Sequence, residues 1–85
     1  MLDVNMFDQL KIGLATADQI RLRIFNTAGQ HVRTLVDARR QAGAHQITWD
    51  GRDQQGRALA SGLYLYRLEA QRAKFSQTRS MLLAR

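Results

Sequence analysis

Cysteine is absent from this 85-residue sequence. No disulfide can staple the chain, and no thiolate can act as nucleophile or metal ligand. Proline is absent too, where average usage would place about four in a chain of this size. Aromatic residues are few, one Trp, two Tyr and three Phe. No window approaches the roughly 18 apolar residues of a membrane-spanning helix, so no membrane insertion is expected. Met1 to Leu10 carries Asp3 and Asp8 and lacks a basic-then-apolar leader. An exported parent would carry its signal elsewhere or have lost it.

Acidic residues are outnumbered, seven against thirteen basic ones, for a formal charge of +6. Eleven of the basic residues are Arg. This balance permits an acidic partner such as nucleic acid or an anionic glycan. A solvated basic surface explains it more simply.

The chain is long enough for one domain with a modest core, worth about 3–5 kcal/mol of net stability. Gly, Asn, Asp and Gln recur at short intervals, and short alternating apolar segments lie between them. That spacing is the pattern of a sandwich or small barrel. A first strand is expected from about Gln9 to Ala15, with Leu10, Ile12 and Leu14 on one face, and a turn at Ala17–Asp18–Gln19. Ile20, Leu22 and Ile24 then alternate with Arg21 and Arg23, the clearest period-two signal in the chain. Asn26 to Gly29 suits a type I turn closed by a left-handed Gly. His31 to Val36 returns as a strand, and the spacing of three between Val32 and Leu35 implies a bulge or twist.

Asp37 to Ala44 reads as a polar loop. His45, Ile47 and Trp49 form the next strand, Asp53 to Gly56 a second tight turn, and Leu59 a short crossing segment. Leu63 to Ala70 places Tyr64, Tyr66, Leu68 and Ala70 on one face, with Leu63 and Leu65 on the other. A hairpin near Gln71–Arg72–Ala73 leads into a final strand from Lys74 to Ala84, whose parity stays open between Leu82 and Leu83. The count is a seven-stranded antiparallel β-sandwich, all-β, in a single domain over residues 1–85. Residues 1–8 are expected to fray or to pair at an edge.

Trp49, Tyr64, Tyr66 and Leu22 are the expected core, and Phe25 is placed with them. Tyr64 follows Gly62 at a strand start, where its hydroxyl is expected to bond to backbone. Asp50, Asp53 and Asn26 resemble calcium ligands singly, but the stretch from Asp50 to Gly56 lacks the alternating oxygens such a loop needs and contains Arg52. Turn capping is the simpler role. His31 and His45 have no further ligands at zinc spacing. Ser61, Ser76 and Ser80 have no base with an orienting group. Neither catalysis nor a cofactor or metal is expected. Arg21, Arg23, Arg33, Arg39 and Arg40 are expected to form a basic surface, with the aromatics turned away from it. Leu63 and Leu65, opposite the tyrosine face, mark a possible partner contact.

Several stretches together resemble a known family. They are Ala42–Gly43–Ala44–His45, Ile47 to Asp53, Gly56, and Ala60 to Leu68. Upstream, Ile24–Phe25–Asn26, Gly29–Gln30 and Val32 to Leu35 fit the same pattern. It resembles a bacterial immunoglobulin-like family with two branches. One is the immunoglobulin-like part of the flagellar hook-capping protein. The other is the C-terminal sorting domain of the type IX secretion system. Phe75, Thr78–Arg79, Met81–Leu82–Leu83 and Arg85 are similar to the ending of the sorting branch. Two departures stand out. Asn5–Met6–Phe7–Asp8–Gln9 lies where the family has two prolines, and Ser80 replaces a usual Lys.

The resemblance implies an immunoglobulin-like sandwich that does no chemistry. It implies a sorting or anchoring signal, with Met81, Leu82, Leu83 and Arg85 as recognition residues. The partners would be the outer-membrane secretion machinery and a cargo domain covalently attached upstream. The route would be export through the periplasm to the cell surface or medium. The alternatives are an assembly module like the hook-cap domain, or a glycan- or polyanion-binding accessory domain. If the arginines are merely solvated, binding to duplex DNA will be weak, independent of sequence and lost steeply with added salt. Fluorescence anisotropy across a salt series checks this, and sequence-selective binding at physiological salt would refute it.

Overall fold

The computed structural model describes residues 8–84. Residues 1–7, expected to fray or edge-pair, and Arg85 lie outside the described residues. Six strands are present: β1 (Asp8–Leu14), β2 (Asp18–Phe25), β3 (His31–Arg40), β4 (Gly43–Trp49), β5 (Gly62–Ala70) and β6 (Phe75–Leu83). They form a two-stranded sheet, β1-β4, and a four-stranded sheet in the order β3-β2-β5-β6. All pairs are antiparallel.

The expected seventh strand is missing among the described residues. The segment around Leu59 makes an isolated bridge between Arg52 and Ala58 instead. It holds the crossing between sheets, which is too short to start a ladder. A second correction concerns the polar loop from Asp37 to Ala44. β3 runs on to Arg40 and β4 starts at Gly43, leaving a tight connection at Gln41–Ala42. Polar residues there face solvent without leaving the ladder, because one face of an antiparallel strand can be wet.

Alternation places the core between the sheets. Leu10 and Ile12 of β1 and Trp49 of β4 meet Ile20, Leu22 and Ile24 of β2, Val36 of β3, Tyr64 and Leu68 of β5 and Leu83 of β6. Trp49 is fully buried, and its ring meets Tyr64 edge-on at 5.4 Å. Its indole Nε1 donates to the Arg52 carbonyl at 3.1 Å. Tyr64 is buried, and its hydroxyl donates to the Ala60 carbonyl at 2.8 Å. Tyr66 is half-buried against the cluster.

Phe25 is not in the core. It follows Arg21 and Arg23 in phase on the outer face, and both Arg23 and Arg67 lie over its ring, at 5.4 and 5.1 Å. Val32 and Leu35 are the two residues of β3 that skip pairing with β2, at its register shifts. The skip at Leu35 sets Arg33 opposite the buried Ile24. From there its Nη1 reaches Asp50 Oδ1 at 3.0 Å and the Arg52 carbonyl at 3.1 Å.

One turn is built twice. Asn26 and Asp53 each accept a bond at their own carbonyl from a left-handed Gly three residues on, Gly29 or Gly56. The Asn26 side chain also accepts from the Ala28 and Gln30 amides, and that of Asp53 from the Gln55 and Arg57 amides. Only Gly adopts this backbone without strain. The second turn docks on β3, because the Gln54 amide donates to the Val32 carbonyl at 2.8 Å.

Asp18 corrects the expected turn at Ala17–Asp18–Gln19. It opens β2 on the inward face and is 1% exposed. Its carboxylate oxygens accept from the Arg72 amide at 2.8 Å and the Ala73 amide at 2.9 Å, closing the β5–β6 hairpin. The bond from the Arg72 amide, with those from Ala73 and Gln19, outweighs desolvation and holds the carboxyl below its ordinary pKa. A carboxyl with a depressed folded-state pKa contributes stability above its unfolded value, about 3.9. That contribution is lost as pH falls through the folded value. Asp18→Asn is therefore expected to be less stable than wild type at neutral pH, with the difference shrinking below about pH 4. Urea melts between neutral and acid pH measure this. Trp49→Ala is expected to cost roughly 3–5 kcal/mol, by the same melts, and native Trp emission should be blue-shifted and poorly quenched by iodide.

Candidate interaction surface

The four-stranded sheet turns one face to the core and the other outward. The outward face is ordered in cross-strand rows. In the first, Arg21 stands between Asp37 and Glu69. In the next, Arg23 stands between Thr34 and Arg67. Phe25 then stands between His31 and Leu65, and Leu65 lies beside Ser80. The last row pairs Leu63 with Leu82. Along the strands the face passes from ionic to aromatic to aliphatic.

Glu69 organises the ionic end. Its Oε1 meets Arg23 Nη2 at 2.7 Å and Arg21 Nε at 3.3 Å. Burial alone would raise its pKa, but the charges of Arg23, Arg21 and Arg67 outweigh it and hold the carboxyl below its usual range. The expected basic surface is thus largely occupied. Arg21 and Arg23 share Glu69, and Arg33 is turned onto the Asp50 loop. Arg39 and Arg40 are exposed at the other end of β3. Exposed ion pairs contribute only about 0–1 kcal/mol. Their effect here is to cancel charge locally. An open groove of about 750 Å³ beside them is walled by Gln19, Arg21, Asp37 and Glu69, already bonded to one another.

The polar residues weighed for chemistry are engaged in structure. Asp50 accepts from Arg33 and from the Arg52 amide. Asp53 takes two amides and the Arg57 guanidinium. The Arg57 amide and guanidinium, with the Gln55 amide, overcome desolvation and lower its pKa. His45 contacts the Gln41 carbonyl at 2.7 Å, and His31 contacts Thr34 Oγ1 at 2.8 Å. Among the described residues, no three His, Asp or Glu stand close enough to hold a metal.

The proposed recognition residues at the end of the chain are split by strand parity. Leu83 is 1% exposed in the core and Met81 is half-buried against it. Leu82 points outward and is 60% exposed. Its neighbour Leu63 is 49% exposed, and Leu65 is half-buried. Leu63 and Leu65 stood out by phase alone. The addition of Leu82, and of Phe25 further along the same face, needed the pairing. For Phe25 the signal was available, because it continues the odd-numbered series of Arg21 and Arg23.

These features define a two-sheet, immunoglobulin-like β module with an apolar end on the outer face of its wider sheet. The chain belongs to the FlgD Ig-like domain family, whose model matches residues 8–74. The match stops before β6, so the Met81–Arg85 ending lies beyond it. Among solved structures, FlgD from P. aeruginosa superposes with a TM-score of 0.75 at 17% identity, over 95% of this chain and 64% of that one. The chain thus spans less than two thirds of that FlgD chain. PorZ, a surface component of the type IX secretion system of Porphyromonas gingivalis, superposes with a TM-score of 0.54 at 22% identity, over 80% of this chain and 8% of that one. Both likenesses concern the fold. No curated protein matches the sequence significantly.

Proposed function

We propose that this domain is a structural assembly module that works by docking to protein and does no chemistry. Membership of the FlgD Ig-like family supports this reading. The single observation that carries it is the paired exposure of Leu63 and Leu82, side by side on the outer face. Burying one such leucine in a partner stabilises the complex by about 1.5–3 kcal/mol. In the ionic rows on the same face Arg21 and Arg23 share Glu69, so docking leaves fewer unpaired charges.

A second reading takes the domain as an export label that directs an attached cargo to the cell surface. The exposed Leu82, held between the packed Met81 and Leu83, favours it. Recognition would then rest on Leu82 and Arg85, with Met81 and Leu83 fixing the strand. A photo-crosslinking amino acid at position 82 or 63 of the parent protein, in its own cells, tests the proposal. Discrete adducts with subunits of an extracellular or periplasmic assembly are expected, and none from the same probe at the exposed Lys11 of the opposite sheet. Adducts with an outer-membrane translocation protein would put the export reading ahead. Absence of adducts at both leucines would refute docking by this face.

A further inference from the structure

β6 is an edge strand of the wider sheet, and among the described residues nothing pairs with its outer side. Such edges are normally guarded by Lys, Pro, a bulge or a covering element. β6 has no Lys, Pro or bulge and, among the described residues, no covering element; its one guard is Arg79, a single charge on the inward side. Its nine pairs with β5 run without a register shift. From Phe75 to Ser80 it is exposed, and on its inward side Phe75, Gln77 and Arg79 line an open pocket with Lys11, Ile12 and Gly13 of β1.

The strand is also complementary to itself. Turned antiparallel about Thr78, Thr78 faces its own copy and Ser76 faces Ser80. Gln77 faces Arg79, and Phe75 faces Met81. On each strand the two side chains lie side by side on the inward face, where the Gln77 amide, turned over, accepts from Arg79 Nη2 at 2.8 Å and Nε at 3.0 Å. Phe75, 44% exposed, gains the half-buried Met81 as a neighbour on the inward face. A two-fold axis must set like-phased residues opposite each other. The adjacent registers are worse. Centring on Arg79 opposes two arginines, and like charges directly opposite are destabilising. Centring on Gln77 leaves only Phe75 to Arg79 in register and sets Met81 opposite Ala73 in the turn before the strand.

We propose that β6 pairs with β6 of a second copy about a two-fold axis at Thr78, joining two four-stranded sheets into one. This does not depend on the assembly reading, because it uses the sheet edge and not the Leu63–Leu82 face. Each copy carries +6, so long-range repulsion opposes the pairing and screening by salt favours it. One strand pair is a small interface, below the roughly 1,200–2,000 Å² of stable complexes, so a weak, concentration-dependent dimer is expected.

The absence of cysteine makes the test direct. Opposed residues in an antiparallel pair lie about 4.5–5.5 Å apart at Cα, within the range of about 4.4–6.8 Å that a disulfide spans. Thr78→Cys on the 85-residue chain should form a covalent dimer under mild oxidation. Ser76→Cys and Ser80→Cys should each stay monomeric alone and cross-link when mixed. All three positions are exposed, and native Trp49 emission verifies that each variant folds. In the cysteine-free chain, sedimentation at high concentration should show a dimer fraction that rises with salt, and Thr78→Lys should abolish it. The proposal fails if Thr78→Cys stays monomeric, as it would if β6 accepted only a strand of another protein. It also fails if Ser76→Cys alone cross-links equally well, or if salt disperses the dimer.

Discussion

Trp49 governs the step between the two sheets. It ends β4, fills the centre of the core and donates its indole N–H to the Arg52 carbonyl. That same carbonyl accepts from Arg33, which also grips Asp50. A buried aromatic of this kind removes about 150–250 Å² from water, and Trp49 is the largest of the fully buried side chains among the described residues. The loop leaving β4 is therefore tied to the core by the tryptophan and to β3 by the arginine. Its second turn then docks through Gln54. Without that anchor the two-stranded sheet would be held against its larger partner by Leu10 and Ile12, with the partly buried Leu14 and Ile47.

The unequal widths of the sheets explain where the surface becomes available. The two sheets differ in width, and β6 is exposed over most of its length, with an open pocket between its inward side and β1. It is kept in place by its nine pairs with β5 and at its two ends. Asp18 closes the hairpin at one end by accepting from Arg72 and Ala73, and Leu83 enters the core at the other. A strand fixed at its ends and open along its edge is suited to pairing. The outer face offers a different surface, with two arginines paired to Glu69 and its leucines gathered at the far end. Edge and face are distinct surfaces, on different sides of the same sheet.

Much of the architecture was legible in the sequence because its causes are local. Alternation along Ile20, Leu22 and Ile24 fixes the inward face of β2 wherever that strand lies. Asn26 with Gly29 defines a turn within five residues, since each bond in it spans four positions or fewer. The spacing of Val32 and Leu35 already implied that β3 could not pair evenly. The polar run from Asp37 to Ala44 misled because polarity marks contact with water, and an exposed strand has that contact as fully as a loop does.

What tertiary structure alone decided is the company each residue keeps across long separations. Asp18 became a buried cap through amides 54 and 55 residues away, and Glu69 neutralised an arginine 46 residues away. The parity of the last strand depended on its pairing with β5, which sent Leu82 outward beside Leu63 and Leu83 inward. A period of two specifies two faces but not which one meets the core. Composition likewise specified an arginine-rich chain but not that its carboxylates would sit among the arginines. The sequence by itself determined a β module anchored on one tryptophan. The packing of a narrow sheet on a wide one decided which leucines and which edge were left exposed.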